Sequence, residues 1–156
     1  MQNPLCQDDR NFRLPQFKAI EPAHVRTALD QLLTDYRNGI EKWLDSDRAE
    51  GWKFVEAEIE WADRLARAWS PVSHLNSVAD DEDLREAYNA GLERLTDHGN
   101  WRQQHAGIYR AYRELRDSGK YDGLSATQKR IVDLELRDFH LSGVDLPEAD
   151  KETYRE

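Results

Sequence analysis

Apolar residues recur at steps of three and four along most of the chain. Val25, Ala28, Leu29, Leu32, Tyr36, Ile40, Trp43 and Leu44 form one such stripe, the spacing of an amphipathic helix. Pro22 suits its first turn, where a missing N–H costs nothing. Upstream, FRLPQFKAIEP scatters apolar residues among prolines, and residues 1–20 read as an extended arm laid over the core. After the polar break DSDRAEG, a second helix carries two stripes. One is Val55, Ile59, Ala62, Ala66 and Trp69; the other is Phe54, Trp61, Leu65 and Ala68. Two apolar faces predict a helix packed on two sides.

The next signals are punctuation. In RAWSPVSHLNSV, Ser70 reads as an N-cap and Pro71 as a first-turn proline. The preceding helix is expected to stop there, because proline disfavours helical geometry at the residue before it. The short helix that follows would turn Val72, Leu75 and Val78 inward. His74 and Asn76 would lie at the border of that face, with His74 hydrogen-bonded to a neighbouring helix or a backbone carbonyl. The acids of DDED, residues 80–83, favour the positive end of a new helix. Leu84, Tyr88, Gly91 and Leu95 continue it to a left-handed stop at Gly99. Asn100 would cap the next helix, whose inner face comprises Trp101, His105, Ile108, Tyr112 and Leu115, ending at Ser118–Gly119. SATQ, residues 125–128, fits a capping box, and its helix runs through Ile131, Val132, Leu136 and Phe139 to Gly143. Pro147 opens one more helix, within which the sequence ends without a stop signal.

No strand-like alternation and no hairpin dipeptide between apolar runs appears. The expected fold is all-α, an irregular bundle of six to seven helices without a helical-repeat array. The expected organisation is a single domain over 1–156: an extended arm (1–20), a helical bundle (21–143) and the start of a truncated helix (144–156). A chain of 156 residues is long enough to bury ~68–70% of its unfolded surface.

Composition narrows the partners. Twenty-two Lys and Arg stand against thirty-one Asp and Glu, a net charge of −9 with no basic run. Nucleic acid and anionic membrane are thereby disfavoured, since both need a positive footprint. Cys6 is the only cysteine, so no internal disulfide forms and no oxidising compartment is implied. It sits in a polar arm with no basic residue placed to activate it as a thiolate. The N-terminus lacks a signal-peptide pattern, and no apolar run approaches the roughly 18 residues of a membrane span. A cytoplasmic location is expected.

Candidate chemistry is sparse. Ser73 and His74 would be adjacent on a helix, about 100° apart, so their side chains diverge and cannot form a nucleophile–base pair. No G-x-S-x-G surrounds either serine. His24, His74, His98, His105 and His140 include no pair four apart and no H-E-x-x-H. The carboxylates of EAEIEWADR and DDED read as solvated helix faces, and the five tryptophans as core. Catalytic, cofactor-binding and metal-ligating residues are therefore all expected to be none in this chain.

Three segments carry a resemblance: LPQFKAIEPAHVRTALDQLL (14–33), RLARAWSPVSHLNSVADDEDLREAYNAGL (64–92) and LRDFHLSGVDLP (136–147). In order and spacing, the chain resembles the N-terminal region of the thimet oligopeptidase family of zinc metallopeptidases from about Asn3 onward. The resemblance implies a mostly helical cytoplasmic enzyme of several hundred residues that cleaves short peptides in a deep channel. Zinc would be held by an H-E-x-x-H helix and a downstream Glu, with the first Glu of the motif polarising the attacking water. All of that lies C-terminal to this region, which corresponds to about the first quarter of such an enzyme. This chain would form part of the channel wall and be inactive alone. Its partners would be the C-terminal catalytic domain of the same polypeptide and short peptide substrates, with no nucleic acid and no membrane. The alternative is a free-standing helical adaptor holding a peptide or partner helix in an interhelical groove.

Overall fold

The computed structural model of the chain describes residues 3–7, 14–46, 51–79 and 81–146. Among the described residues every regular element is helical, so the all-α class predicted by the periodicity is what forms. Six α-helices follow one another: α1 (Pro22–Leu44), α2 (Trp52–Val78), α3 (Glu82–Gln103), α4 (Ala106–Asp117), α5 (Gly119–Asp122) and α6 (Ala126–Leu141). Two 3₁₀ turns, Pro4–Cys6 and Phe17–Ala19, precede them. The helices gather into two compact units, one of Met1–Gly39 with Glu58–His98, the other of Ile40–Ala57 with Gly99–Glu156.

In the first unit, Val25, Ala28, Leu29 and Leu32 of α1 pack with Leu65, Ala68 and Val72 of α2, and Tyr88 and Leu95 of α3 join them. The N-terminal turn is fastened by Asn3, whose Nδ2 donates to His24 O at 2.9 Å and Thr27 Oγ1 at 3.0 Å. Leu5 enters the core beside it. Of the expected arm, residues 3–7 and 14–20 are described; they contain the two 3₁₀ turns, and Leu14 is 86% exposed. The rest of the expected arm, residues 1–2 and 8–13, lies outside the described residues.

The largest departure from expectation is at Pro71. No joint forms there: α2 runs unbroken through it to Val78. An internal proline removes one helical hydrogen bond and costs ~3 kcal/mol. Against that, continuity keeps Val72 one turn beyond Ala68 and two beyond Leu65, on the face that is buried. A side chain such as Val72 contributes about 1.5–3 kcal/mol on burial, and Pro71 is itself buried beside it. Packing outweighs the lost bond. His74 is consequently exposed, with its ring 5.3 Å from that of Phe17, and Val78 is 67% exposed rather than turned inward. The second stripe of α2 is covered only at its ends: Val55 is buried and Trp69 half-buried, while Ile59, Ala62 and Ala66 are exposed.

α3 begins where its acids predict, with Asp81 Oδ1 accepting from Leu84 N at 2.8 Å. Asp80 lies outside the described residues. The helix then passes Gly99 and Asn100 without stopping. The positive-φ glycines are Gly51 and Gly143, so Gly99 does not adopt the left-handed stop. Glycine inside a helix costs about 1 kcal/mol relative to alanine, a sum that packed neighbours easily offset. The break falls at Gln104, and His105 rather than Asn100 caps α4.

In the second unit, Ile40, Phe54, Ile108, Tyr112, Leu115, Val132 and Phe139 are buried. The Tyr112 ring lies 6.1 Å from Phe54 and 5.9 Å from Phe139. α4 ends at Ser118 as expected. The capping box of α6 is present in full: Ser125 Oγ accepts from Gln128 N, and Gln128 Oε1 from Ser125 N. Gly143, at φ +73°, supplies the predicted stop. Pro147 lies outside the described residues.

Two glycines set how closely helices approach in the first unit. A Cβ at Gly91 would sit 2.6 Å from Trp69 Cζ3, and one at Gly39 would overlap the Trp61 ring. Gly91→Ala should therefore destabilise the chain by about 1–3 kcal/mol, the ordinary cost of overpacking, read as a lower midpoint in urea unfolding.

Candidate functional site

Glu58 is the polar residue that sequence reasoning missed. It falls on the buried stripe of α2, one turn after Phe54, and is 2% exposed. The Tyr36 hydroxyl of α1 donates to its Oε1 at 3.3 Å. The Tyr36 ring is contacted edge-on by His98 of α3 at 4.6 Å and lies 5.9 Å from Trp61. His98 is 5% exposed. A buried carboxylate is tolerated only when hydrogen-bonded, and this cluster is enclosed by aromatic rings. It can orient three helices; a group this well covered has no access to a substrate.

His105 has a different task. Its Nδ1 accepts from Ile108 N at 3.2 Å, capping α4, while Nε2 lies 2.9 Å from Glu41 Oε1. Accepting at Nδ1 assigns the proton of the neutral ring to Nε2, which donates to Glu41. Histidine is an uncommon cap, so the usual Ser, Thr, Asp or Asn signal was absent.

The remaining histidines stand apart. His24 Nδ1 accepts from Glu21 N at 3.0 Å, and His140 Nδ1 is 2.9 Å from Asp145 Oδ2. Among the described residues no three of His, Cys, Asp and Glu are placed to hold a metal ion. The described histidines do not come together as a zinc donor set, and no chemical step is assigned to zinc among them. Cys6 is half-buried, and burial together with Asp35 pushes its thiol up, opposed by Arg64. Arg64 is a basic neighbour that the sequence did not reveal, and its effect is outweighed.

A surface groove of about 410 Å³ lies between the start of α1 and α3, lined by Pro22, Ala23, Arg26, Asp83, Glu86, Ala87, Ala90, Gly91 and Arg94. Its two arginines turn to Asp30. Arg94 Nε is 2.8 Å from Oδ1 and Arg26 Nε 3.6 Å from Oδ2. The Arg94 hydrogen bond, with smaller help from charge, holds the Asp30 carboxyl below its ordinary value. The groove's cations are thus already partnered.

The family model "Neurolysin/Thimet oligopeptidase, N-terminal domain" matches residues 29–151. The chain belongs to this family. Oligopeptidase A of Haemophilus influenzae is 42% identical over 156 residues, all of this chain and 22% of that protein. Oligopeptidase A of Escherichia coli is 42% identical over 157 residues, again all of this chain and 23% of its own length. A probable cytosolic oligopeptidase A of Arabidopsis thaliana is 29% identical over 97% of the chain and 21% of its own length. The chain thus spans about a fifth of the length of these relatives. Within this oligopeptidase N-terminal domain, the matched region includes Tyr36, Glu58, His98 and His105, all of them engaged in packing or capping.

Two outcomes are expected. Tyr36→Phe should cost about 1 kcal/mol, the net value of one hydrogen bond, in urea unfolding. For Asp30, a folded-state pKa below the unfolded one makes the charged pair stabilising at neutral pH. That gain is lost as pH falls through the lowered value. Asp30→Asn should lose only about 0.2–1 kcal/mol, as exposed pairs do. Its gap from the unsubstituted chain should close as unfolding is repeated at progressively lower pH.

Proposed function

We propose that this chain serves as the N-terminal helical domain of a zinc-dependent metallopeptidase cleaving short peptides, as part of the wall of the substrate channel. The observation that carries this reading is identity of 42% to oligopeptidase A spread over the full chain, with the family match across residues 29–151. Bond cleavage is assigned to the C-terminal catalytic domain of the same polypeptide, where the zinc ligands would reside. The histidines described here are spent on capping, packing and local pairing, which supports a supporting rather than a catalytic role for residues 1–156.

The physical contribution of such a domain is rigidity. Helices interlocked at Gly39–Trp61 and Gly91–Trp69 resist deformation, so a wall built from them would admit an unfolded peptide and exclude a folded protein by size. The cytoplasm is the proposed location. Among the described residues no helix is long and apolar enough to cross a membrane, and the net charge of −9 disfavours anionic lipid.

The purified chain should show a helical circular-dichroism spectrum, carry no stoichiometric zinc by elemental analysis, and leave a quenched fluorescent peptide intact. Zinc-dependent turnover by the 156-residue chain would overturn the proposal.

A further inference from the structure

Two neighbouring residues of α2 have their polarity reversed. Glu58 is 2% exposed while Ile59 is 46% exposed. Ile59 opens a strip that continues through Ala62 and Ala66, both exposed, to Trp69. Trp69 stacks on Tyr88 of α3, with centroids 5.0 Å apart and planes at 15°, which joins the strip to the next helix. One turn beyond Tyr88, Leu92 is 39% exposed. No position of this strip is charged, in a chain whose residues are 34% charged. Alongside it, Arg67 pairs with Asp63 one turn earlier. An apolar centre flanked by charges is the layout of a protein–protein contact.

We infer that this strip, Ile59, Ala62, Ala66, Trp69, Tyr88 and Leu92, is the surface on which the rest of the longer oligopeptidase polypeptide docks. The inference rests on the reading under Proposed function and names the surface that reading requires. The occupant follows from length. The Haemophilus influenzae relative matches the whole of this chain with only 22% of its own sequence, so most of that polypeptide is available to cover an apolar face of its N-terminal domain. The small side chains at 62 and 66 permit close approach of a helix. An uncharged strip selects an apolar segment rather than a charged peptide.

The test is capture in cells. The tagged chain is co-expressed with Haemophilus influenzae oligopeptidase A lacking its own matched N-terminal region, and that region, tagged in the same way, serves as the positive control. The unsubstituted chain should co-purify the truncated enzyme. The double variant Ala62→Lys/Ala66→Lys should recover at least tenfold less, with an unchanged melting temperature, since both positions are exposed and lysine is a good helix former. Equal recovery by the double variant would remove the strip as the docking surface and leave the proposed function standing. Capture by the control but not by the unsubstituted chain would overturn both. Concentration-dependent dimerisation that the lysines abolish, seen by sedimentation, would assign the strip to a second copy and overturn the inference.

Discussion

The first unit is organised by two aromatic rings that occupy space left by missing side chains. Trp61 lies where a Cβ of Gly39 would be, and Trp69 where a Cβ of Gly91 would be. The two tryptophans are on α2, and the glycines are on α1 and α3. Helix axes ordinarily stand 8–10 Å apart according to the size of the residues between them, and glycine permits approach at the lower end. The other contacts of the unit presuppose that closeness. Tyr36 reaches Glu58, His98 meets the Tyr36 ring, and Trp69 stacks on Tyr88. Glycine inside a helix is locally unfavourable by about 1 kcal/mol. Its presence at 39 and 91 is therefore a local cost that tertiary packing offsets.

The same ordering of energies explains Pro71. A proline in mid-helix is a larger local cost, ~3 kcal/mol, yet α2 passes through it. Breaking the helix at Ser70 would rotate Val72 off the face it shares with Leu65 and Ala68, and Val72 is 1% exposed. Burial of several side chains in fixed register is worth more than one backbone hydrogen bond. One consequence is rigid connection. Residues before and after Pro71 stay on a single helical axis, which keeps Val72 in register with Leu65 and Ala68.

Features set by neighbours in sequence were legible, and features set by neighbours in space were not. The Ser125–Gln128 capping box, the start of α3 at its acids and the stop at Gly143 depend on side chains reaching backbone a few residues away, so spacing alone exposes them. Gly91 was visible only as a helix position, because its role is defined by Trp69, more than twenty residues upstream. Gly99 looked like a stop because glycine tolerates positive φ, but permission is not compulsion, and the helix continues. Glu58 was hidden among the acids of EAEIEWADR and grouped with solvated faces. Its position four after Phe54 and seven before Leu65 was the available signal, since that period places it on the apolar stripe. His105 as a cap offered no such signal. Its function needs both Nδ1 toward Ile108 and Glu41 holding Nε2, and Glu41 is on a different helix.

The outward Ile59 beside the inward Glu58 is what most limits an account of this chain as self-sufficient. Sinking an isoleucine side chain fully is worth about 1.5–3 kcal/mol, while sinking a carboxylate costs free energy that its hydrogen bonds must return. A helix shaped only by its own folding would carry the opposite arrangement at these two positions. A total stability of ~5–15 kcal/mol makes forgoing that amount substantial. Tyr36 of α1 donates to Glu58 of α2, a hydrogen bond that favours one pairing of these helices over a slipped one. The polar side chain thus sits inside with a hydrogen-bond partner, and the apolar one stands partly in solvent.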